Sequence, residues 1–477
     1  MNAKHWLALA FLFLTGSLVY SQGSYRIRVK IDGFDRDTLY LGYHLADKQY
    51  LRDTTTRGKD GYFEFKGNET LPGGMYLVVM PPDNNYFQLL IDESDEDFSV
   101  VTDAKNTSEK MVVTGSEENK IFYDYMGFLA AKRPEAEALR QEMDAADATD
   151  ETKKAGEAKL EALNKSVEAY QQNLIAQHPK TIAAALVKAN MNVEIPEFEG
   201  EGQDLEVKRW RYMQKHFFDN INMSDPRLLR TPFQFQRIEH YINKMIVQHP
   251  DTISQAIDQV LALVKDAPET YKFYLIHFLN TYAKSNIVGM DAVYVHLALD
   301  YYAKGEASWT DSTQLKKIVD NAKTLEPLLI GKIAPEIVMQ TKDNKNISLH
   351  SVKSPYTVLF FWDPDCGHCK KVSPDVVAFQ EAFKDKGVTV FAVCTKVMEE
   401  VKECWEAIDE RNFGNFVNVV DPYLRSRYKT LYDLKTTPQI YVLDNKKEIL
   451  TKRIGGEQLA EVMQQIIDMR SKNGADQ

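Results

Sequence analysis

The residues best suited to chemistry are the run Cys366-Gly367-His368-Cys369. Two thiols at this spacing can exchange with a disulfide. If the run opens a helix, unpaired backbone N–H groups and a partial positive charge meet the first sulfur. Both favour a thiolate at Cys366, the form that attacks a disulfide. The i, i+3 spacing stacks Cys369 on the same face, so Cys369 can resolve a mixed disulfide held on Cys366. His368 supplies a polarisable group beside the thiolate. It favours the reduced form and makes the disulfide more oxidising. Downstream, Lys435-Thr436-Thr437-Pro438 leads into the apolar run Gln439 to Leu443. Proline at a strand start has no N–H for the ladder, and the Thr437–Pro438 bond is a candidate for cis. Thr437 would then be free to pair with an extended peptide. Trp362, Thr437 and Pro438 are expected to form the surface beside the dithiol.

The remaining cysteines, Cys394 and Cys404, lack the tight two-residue spacing that a zinc site repeats. Cys394 ends an expected strand and Cys404 lies on an expected helix. They read as buried thiols, with a disulfide between them as the alternative in an oxidising compartment. No HExxH, Walker A or GxGxxG sequence appears. No metal or cofactor is therefore expected.

Several elements must position the dithiol. Thr357 to Trp362 is continuously apolar, suited to a strand buried on both faces, and the cysteines open the helix that follows it. Further strands are expected at Ile347 to Leu349, Val388 to Cys394, Ile440 to Leu443 and Ile449 to Ile454. Helices are expected at Met398 to Arg411 and Gly456 to Met469. This alternation is an α/β pattern. Upstream, Tyr25 to about Thr114 reads as short strands punctuated by Gly, Pro and Asp, a small antiparallel sandwich. From Ser116 the composition turns helical, with long amphipathic helices over Ile121 to Asp144 and Glu151 to His178. Leu174-Ile175-Ala176-Gln177-His178-Pro179 is echoed by Met245-Ile246-Val247-Gln248-His249-Pro250. Both histidines read as C-terminal helix caps, with helix restarting at Thr-Ile.

The fold class expected is therefore multi-domain: an N-terminal all-β sandwich (22–115), a middle all-α region (116–327) and a C-terminal α/β domain (328–477). Residues 1–21 read as a signal peptide. Lys4 precedes the apolar run Trp6 to Leu14, and Val19-Tyr20-Ser21 offers a cleavage site before Gln22. The run is shorter than a membrane span, and no cysteine lies near the cut to carry a lipid. The 477 residues carry a formal net charge of −11, which argues against nucleic acid or an anionic membrane surface as main partner.

Residues from about Leu328 to Met469 resemble the thioredoxin-like proteins of the TlpA/ResA type. The resemblance rests on Gly331-Lys332-Ile333-Ala334-Pro335-Glu336-Ile337, on Phe361-Trp362 before the dithiol, on Cys366-Gly367-His368-Cys369, and on Thr437-Pro438. The regions before it resemble a DUF4369-type β domain and a DUF5106-like helical domain. The resemblance implies a thioredoxin fold for the C-terminal α/β domain (328–477), and an exported or periplasmic protein that reduces or shuffles disulfides in protein substrates. A membrane electron donor is the expected source of reducing equivalents. An oxidase is the alternative direction, and a binding protein whose front domains hold a partner is the alternative class. Two positions depart from the family pattern. Phe360 stands where thioredoxins place a buried Asp, and Val372 where ResA-like proteins place a Glu. Deprotonation of Cys369 then falls to His368, Lys370, Asp363, Asp365 or water.

Overall fold

The structure is a computed structural model that describes residues 24–472 apart from 94, 96 and 146. The expected signal peptide lies outside the described residues. The chain divides into two compact units, Met1–Tyr241 and Ile242–Gln477.

The first unit opens with eight strands: β1 (Tyr25–Asp32), β2 (Thr38–Leu45), β3 (Lys48–Thr56), β4 (Phe63–Gly67), β5 (Gly74–Met80), β6 (Asn85–Ile91), β7 (Asp97–Asp103) and β8 (Val112–Thr114). They form two sheets, ordered β4-β1-β7-β8 and β3-β2-β5-β6. Ile27, Val29, Phe63 and Phe98 from one sheet share a core with Leu39, Leu41, Val78 and Leu89 from the other. That shared core is what makes the pair a sandwich. β1 and β7 pair in parallel, unlike the purely antiparallel arrangement expected. β3 escaped the pattern reading because Lys-Gln-Tyr-Leu-Arg-Asp-Thr-Thr-Thr is an edge strand with little burial and no apolar alternation.

Five helices follow: α1 (Glu117–Asp144), α2 (Asp150–Gln177), α3 (Ile182–Ala189), α4 (Gly202–His216) and α5 (Pro232–His240). The hydroxyls of Ser116, Thr149 and Thr181 cap the first three, satisfying N–H groups that otherwise lack partners. Glu118 adds a cap from a distance, accepting the N–H groups of Ile182 (2.8 Å) and Ala183 (3.1 Å). Burial pushes its carboxyl up to about 7 despite those donors. His178 ends α2 as expected.

The second unit begins with α6 (Pro250–Leu263), α7 (Pro268–Ala283), α8 (Asp291–Leu297) and α9 (Ser312–Leu325). His249 is the N-cap of α6 and not a C-terminal cap. Pro250 takes the first helical position, where its missing N–H costs nothing, so the helix restarts two residues earlier than the echo suggested. Then come β9 (Val338–Gln340), β10 (Asn346–Ser348), β11 (Tyr356–Trp362), α10 (Gly367–Phe383), β12 (Val388–Cys394), α11 (Val401–Glu410), β13 (Val417–Val420), α12 (Tyr428–Leu431), β14 (Gln439–Asp444), β15 (Ile449–Lys452) and α13 (Gly456–Lys472). The sheet order is β10-β9-β13-β12-β11-β14-β15. β11 runs parallel to β12 and antiparallel to β14. Its side chains alternate between two cores. Val358, Phe360 and Trp362 join the cluster containing Val376 of α10, Cys404 of α11 and Met463 of α13. Leu359 and Phe361 join the opposite cluster with Tyr428, Tyr432 and Tyr441. This is a thioredoxin fold, and with the sandwich and the helices it makes the chain multi-domain.

Lys452, 2 % exposed, links the two parts of this unit. Its ammonium donates to Asp291 Oδ2 at 2.5 Å and to the Leu328 carbonyl at 2.6 Å. A buried cation needs such partners, so β15 and the start of α8 are tied together.

Candidate active site

β11 is buried along its whole length. It ends at Trp362, and the chain turns through Asp363-Pro364-Asp365 into α10. Cys366 is the N-cap of that helix. The N–H of Cys369 donates to Cys366 Sγ at 3.3 Å, so a sulfur holds the position usually taken by a Ser, Thr or Asp oxygen. The Cys366 thiol in turn donates to the Thr437 carbonyl at 3.2 Å. Burial alone would raise the Cys366 thiol. Hydrogen bonds from the side chains of Thr437 and Cys369 and from the N–H groups of Cys369 and His368 outweigh it, so the thiol lies below its ordinary value.

Cys369 is fully buried. Burial is the main force pushing its thiol up to about 12, against a lowering hydrogen bond from the Asp363 backbone. Both sulfurs are free thiols. The pair is therefore split in the sense exchange requires: an accessible sulfur that ionises easily and a sequestered one that does not.

The structure brings Cys366, Cys369 and Thr437 into contact, and the Thr437–Pro438 bond is cis. His368 is exposed on the first turn of α10. Trp362 is not on the surface. It is 0 % exposed, packs edge-on against Phe413 at 5.1 Å, and lies under the Arg411 guanidinium at 5.2 Å. Strand alternation places it beside Phe360 on the α10 side of the sheet, inside the core, which corrects the expectation that it lines the site.

The same alternation buries Phe360, and Val372 packs against that core. Among the residues named for deprotonating Cys369, Asp363 hydrogen-bonds the Cys369 sulfur through its backbone, as a donor. Its carboxylate accepts the Asp365 N–H (2.9 Å) and the Thr395 hydroxyl (3.1 Å). Asp365 instead faces Lys396 at 2.5 Å, and Lys370 is exposed.

Sequence reading missed Thr395 and Arg411. Thr395 matters because its N–H donates to the Trp362 carbonyl at 2.9 Å. Arg411 also donates to the Pro364 carbonyl, at 2.5 Å. Both depend on neighbouring strands and helices, so no local pattern announces them. Cys394 and Cys404 are buried and joined by a disulfide, their Cα atoms 6.1 Å apart. This fulfils the alternative raised for them, because β12 and α11 bring the two side chains together in one core.

Comparison with known proteins covers most of the chain in three pieces. Residues 330–452 match the AhpC/TSA family, 148–326 match the domain of unknown function DUF5106, and 25–122 match the domain of unknown function DUF4369. The chain is 26 % identical over 147 residues to the thiol-disulfide oxidoreductase ResA of Bacillus cereus, covering 30 % of this chain and 80 % of that protein. It is 29 % identical over 127 residues to the sporulation thiol-disulfide oxidoreductase A of Bacillus subtilis, covering 26 % and 75 %. A solved domain of a possible thiol-disulfide isomerase from Cytophaga hutchinsonii is 35 % identical. It covers 31 % of this chain and 98 % of its own, with a TM-score of 0.29. No described helix is long and apolar enough to cross a membrane.

Proposed function

Because the chain belongs with the thioredoxin-like thiol–disulfide oxidoreductases, its AhpC/TSA domain spanning residues 330–452, we propose that it is an exported, periplasmic reductase or isomerase of protein disulfides. The observation that carries this reading is Cys366 at the N-cap of α10, its sulfur accepting the Cys369 N–H at 3.3 Å.

The Cys366 thiolate attacks one sulfur of a substrate disulfide. A mixed disulfide forms, and the other substrate sulfur leaves as a thiolate that takes a proton. Cys369, once deprotonated, attacks Cys366 Sγ. The second substrate thiol departs, and a Cys366–Cys369 disulfide holds the two-electron oxidation. A thiol reductant on the membrane side resets the pair. In isomerisation the substrate's own thiol displaces Cys366, and no net electrons move. Thr437 and Pro438 present the backbone against which substrate lies, and His368 tunes the potential from the exposed turn.

Three parts are proposed: the β domain at 22–115, the helical region at 116–327 and the thioredoxin-like domain at 328–477. Insulin reduction tests the function. The parent protein is expected to reduce insulin and Cys366→Ser to lose that activity; equal activity in both would sink the assignment. The potential decides direction, with about −270 mV marking a reductase and about −120 mV an oxidase.

A further inference from the structure

Three parallel strands end side by side at the dithiol. Trp362 of β11 pairs with Cys394 of β12, and Cys394 with Val420 of β13. At a strand spacing of about 4.8 Å, the end of β13 lies roughly 10 Å from the end of β11. From there the chain must reach β14, on the far side of β11. It therefore crosses the sheet beside the active-site edge. Tyr428 and Tyr432 pin the crossing down: both are fully buried, their rings 5.9 and 5.0 Å from Phe361. The Tyr428 hydroxyl donates to the Thr395 carbonyl at 3.2 Å. The crossing ends at Thr437, whose carbonyl meets the Cys366 thiol.

What this crossing shows to solvent is opposite in sign to the net charge of the chain. Residues 422–438 carry Arg425, Arg427, Lys429 and Lys435 against a single carboxylate, Asp433, in a chain of net charge −11. All four cations are exposed. Lys435 meets Asp433 at 3.1 Å, whereas Arg425, Arg427 and Lys429 have no acidic partner among the described residues. At the start of the crossing, Tyr423 and Leu424 are 56 % and 40 % exposed. The Met398 N–H donates to the Pro422 carbonyl at 3.0 Å, which brings the backbone of a third exposed apolar residue to the start of the crossing. The loop is preset. The Asp421 carboxylate accepts the N–H groups of Arg425 (3.0 Å) and Ser426 (2.7 Å) and the Ser426 hydroxyl (2.7 Å). The Arg425 guanidinium lies over the Tyr423 ring at 5.0 Å, and a preset step of this kind binds at reduced ordering cost. Glu399 and Glu400 follow Met398, so the charge is polarised along the wall.

We propose that this crossing is the substrate-docking wall of the dithiol, and that its occupant is an acidic polypeptide segment beside a disulfide. An apolar residue of that segment rests on Met398, Tyr423 and Leu424, and its carboxylates face the cations from Arg425 to Lys435. The proposal rests on the dithiol reading above and adds the substrate class to it.

The test uses the full chain and two synthetic disulfide-bonded peptides, identical except that one has glutamates and the other lysines beside an apolar residue next to the cystine. A small uncharged aromatic disulfide is the third substrate. At low ionic strength kcat/KM for the acidic peptide is expected to exceed that for the basic one by about tenfold, a steering effect of ordinary size. That preference should shrink towards unity near ~1 M salt, where screening acts within about 3 Å. Arg425→Glu/Arg427→Glu/Lys429→Glu is expected to abolish or invert it while leaving the aromatic disulfide unaffected. Equal rates for the two peptides in the parent, a preference insensitive to salt, or a preference surviving charge reversal would each overturn the docking wall alone. Failure of the parent to reduce even the aromatic disulfide would overturn both the wall and the dithiol reading.

Discussion

The molecule holds two pairs of cysteines in one hydrophobic core, and they have opposite fates. Cys366 and Cys369 bracket the first turn of α10 and remain thiols. Cys394 and Cys404 join the end of β12 to the interior of α11 and are closed as a disulfide. Burial of the sulfur does not separate them, since Cys369, Cys394 and Cys404 are all buried. The difference lies in Cys366. It alone is partly exposed, and it alone sits at a helix N-terminus with N–H groups aimed at the sulfur. Thiolate stabilisation together with access makes a cysteine reactive. A pair lacking both becomes a staple.

The largest effect expected from this contrast is on turnover. Cys366→Ser should lower insulin reduction to background, a loss of at least ~10³-fold, because the nucleophile is gone. Cys394→Ala/Cys404→Ala should keep activity within about threefold, since neither sulfur meets substrate. Comparable losses in both variants, measured side by side, would erase the distinction.

Next is the titration of the dithiol. Followed by thiolate absorbance and by alkylation rate, Cys366 should ionise below the ordinary thiol range, so alkylation rises with pH through a midpoint lower than that of a free thiol. Cys369 should stay protonated until about pH 12. A single unperturbed midpoint for both thiols would contradict the split.

The staple should show itself in stability. Removing a disulfide usually costs about 2–4 kcal/mol. Cys394→Ala/Cys404→Ala is therefore expected to lower the melting temperature of the second unit by about 4–16 °C for its size. An unchanged Tm by calorimetry would mean that the bridge does not brace β12 against α11.

The smallest effect concerns the bridge between the two pairs. Thr395 follows Cys394, and its hydroxyl holds the carboxylate of Asp363, whose N–H meets Cys369. Thr395→Val removes a hydrogen bond worth about 1 kcal/mol. It should shift the Cys366–Cys369 potential by about 20 mV towards more reducing values. Thr395→Ser should restore it. A potential unmoved by Thr395→Val would show that the pairs are independent.

Much of this was legible locally. The unbroken apolar run of β11, the placement of the cysteines at the start of α10, and Pro438 at the mouth of β14 are statements about adjacent residues and read correctly. Edge strands such as β3, and short ones such as β9 and β13, were not legible, because their pairing partners and not their own composition make them strands. Trp362 was read as surface because its neighbours in sequence are the site. Its neighbours in space are Phe413 and Arg411.

The chain alone determined where a thiolate could form, because the helix that stabilises it is built from consecutive residues and its start is written in them. Only the fold decided which sulfur is covered, that Cys394 would meet Cys404, and that the carbonyl of Thr437 would meet Cys366. Each of those depends on the order in which strands assemble into the sheet, and local composition carries no record of that order.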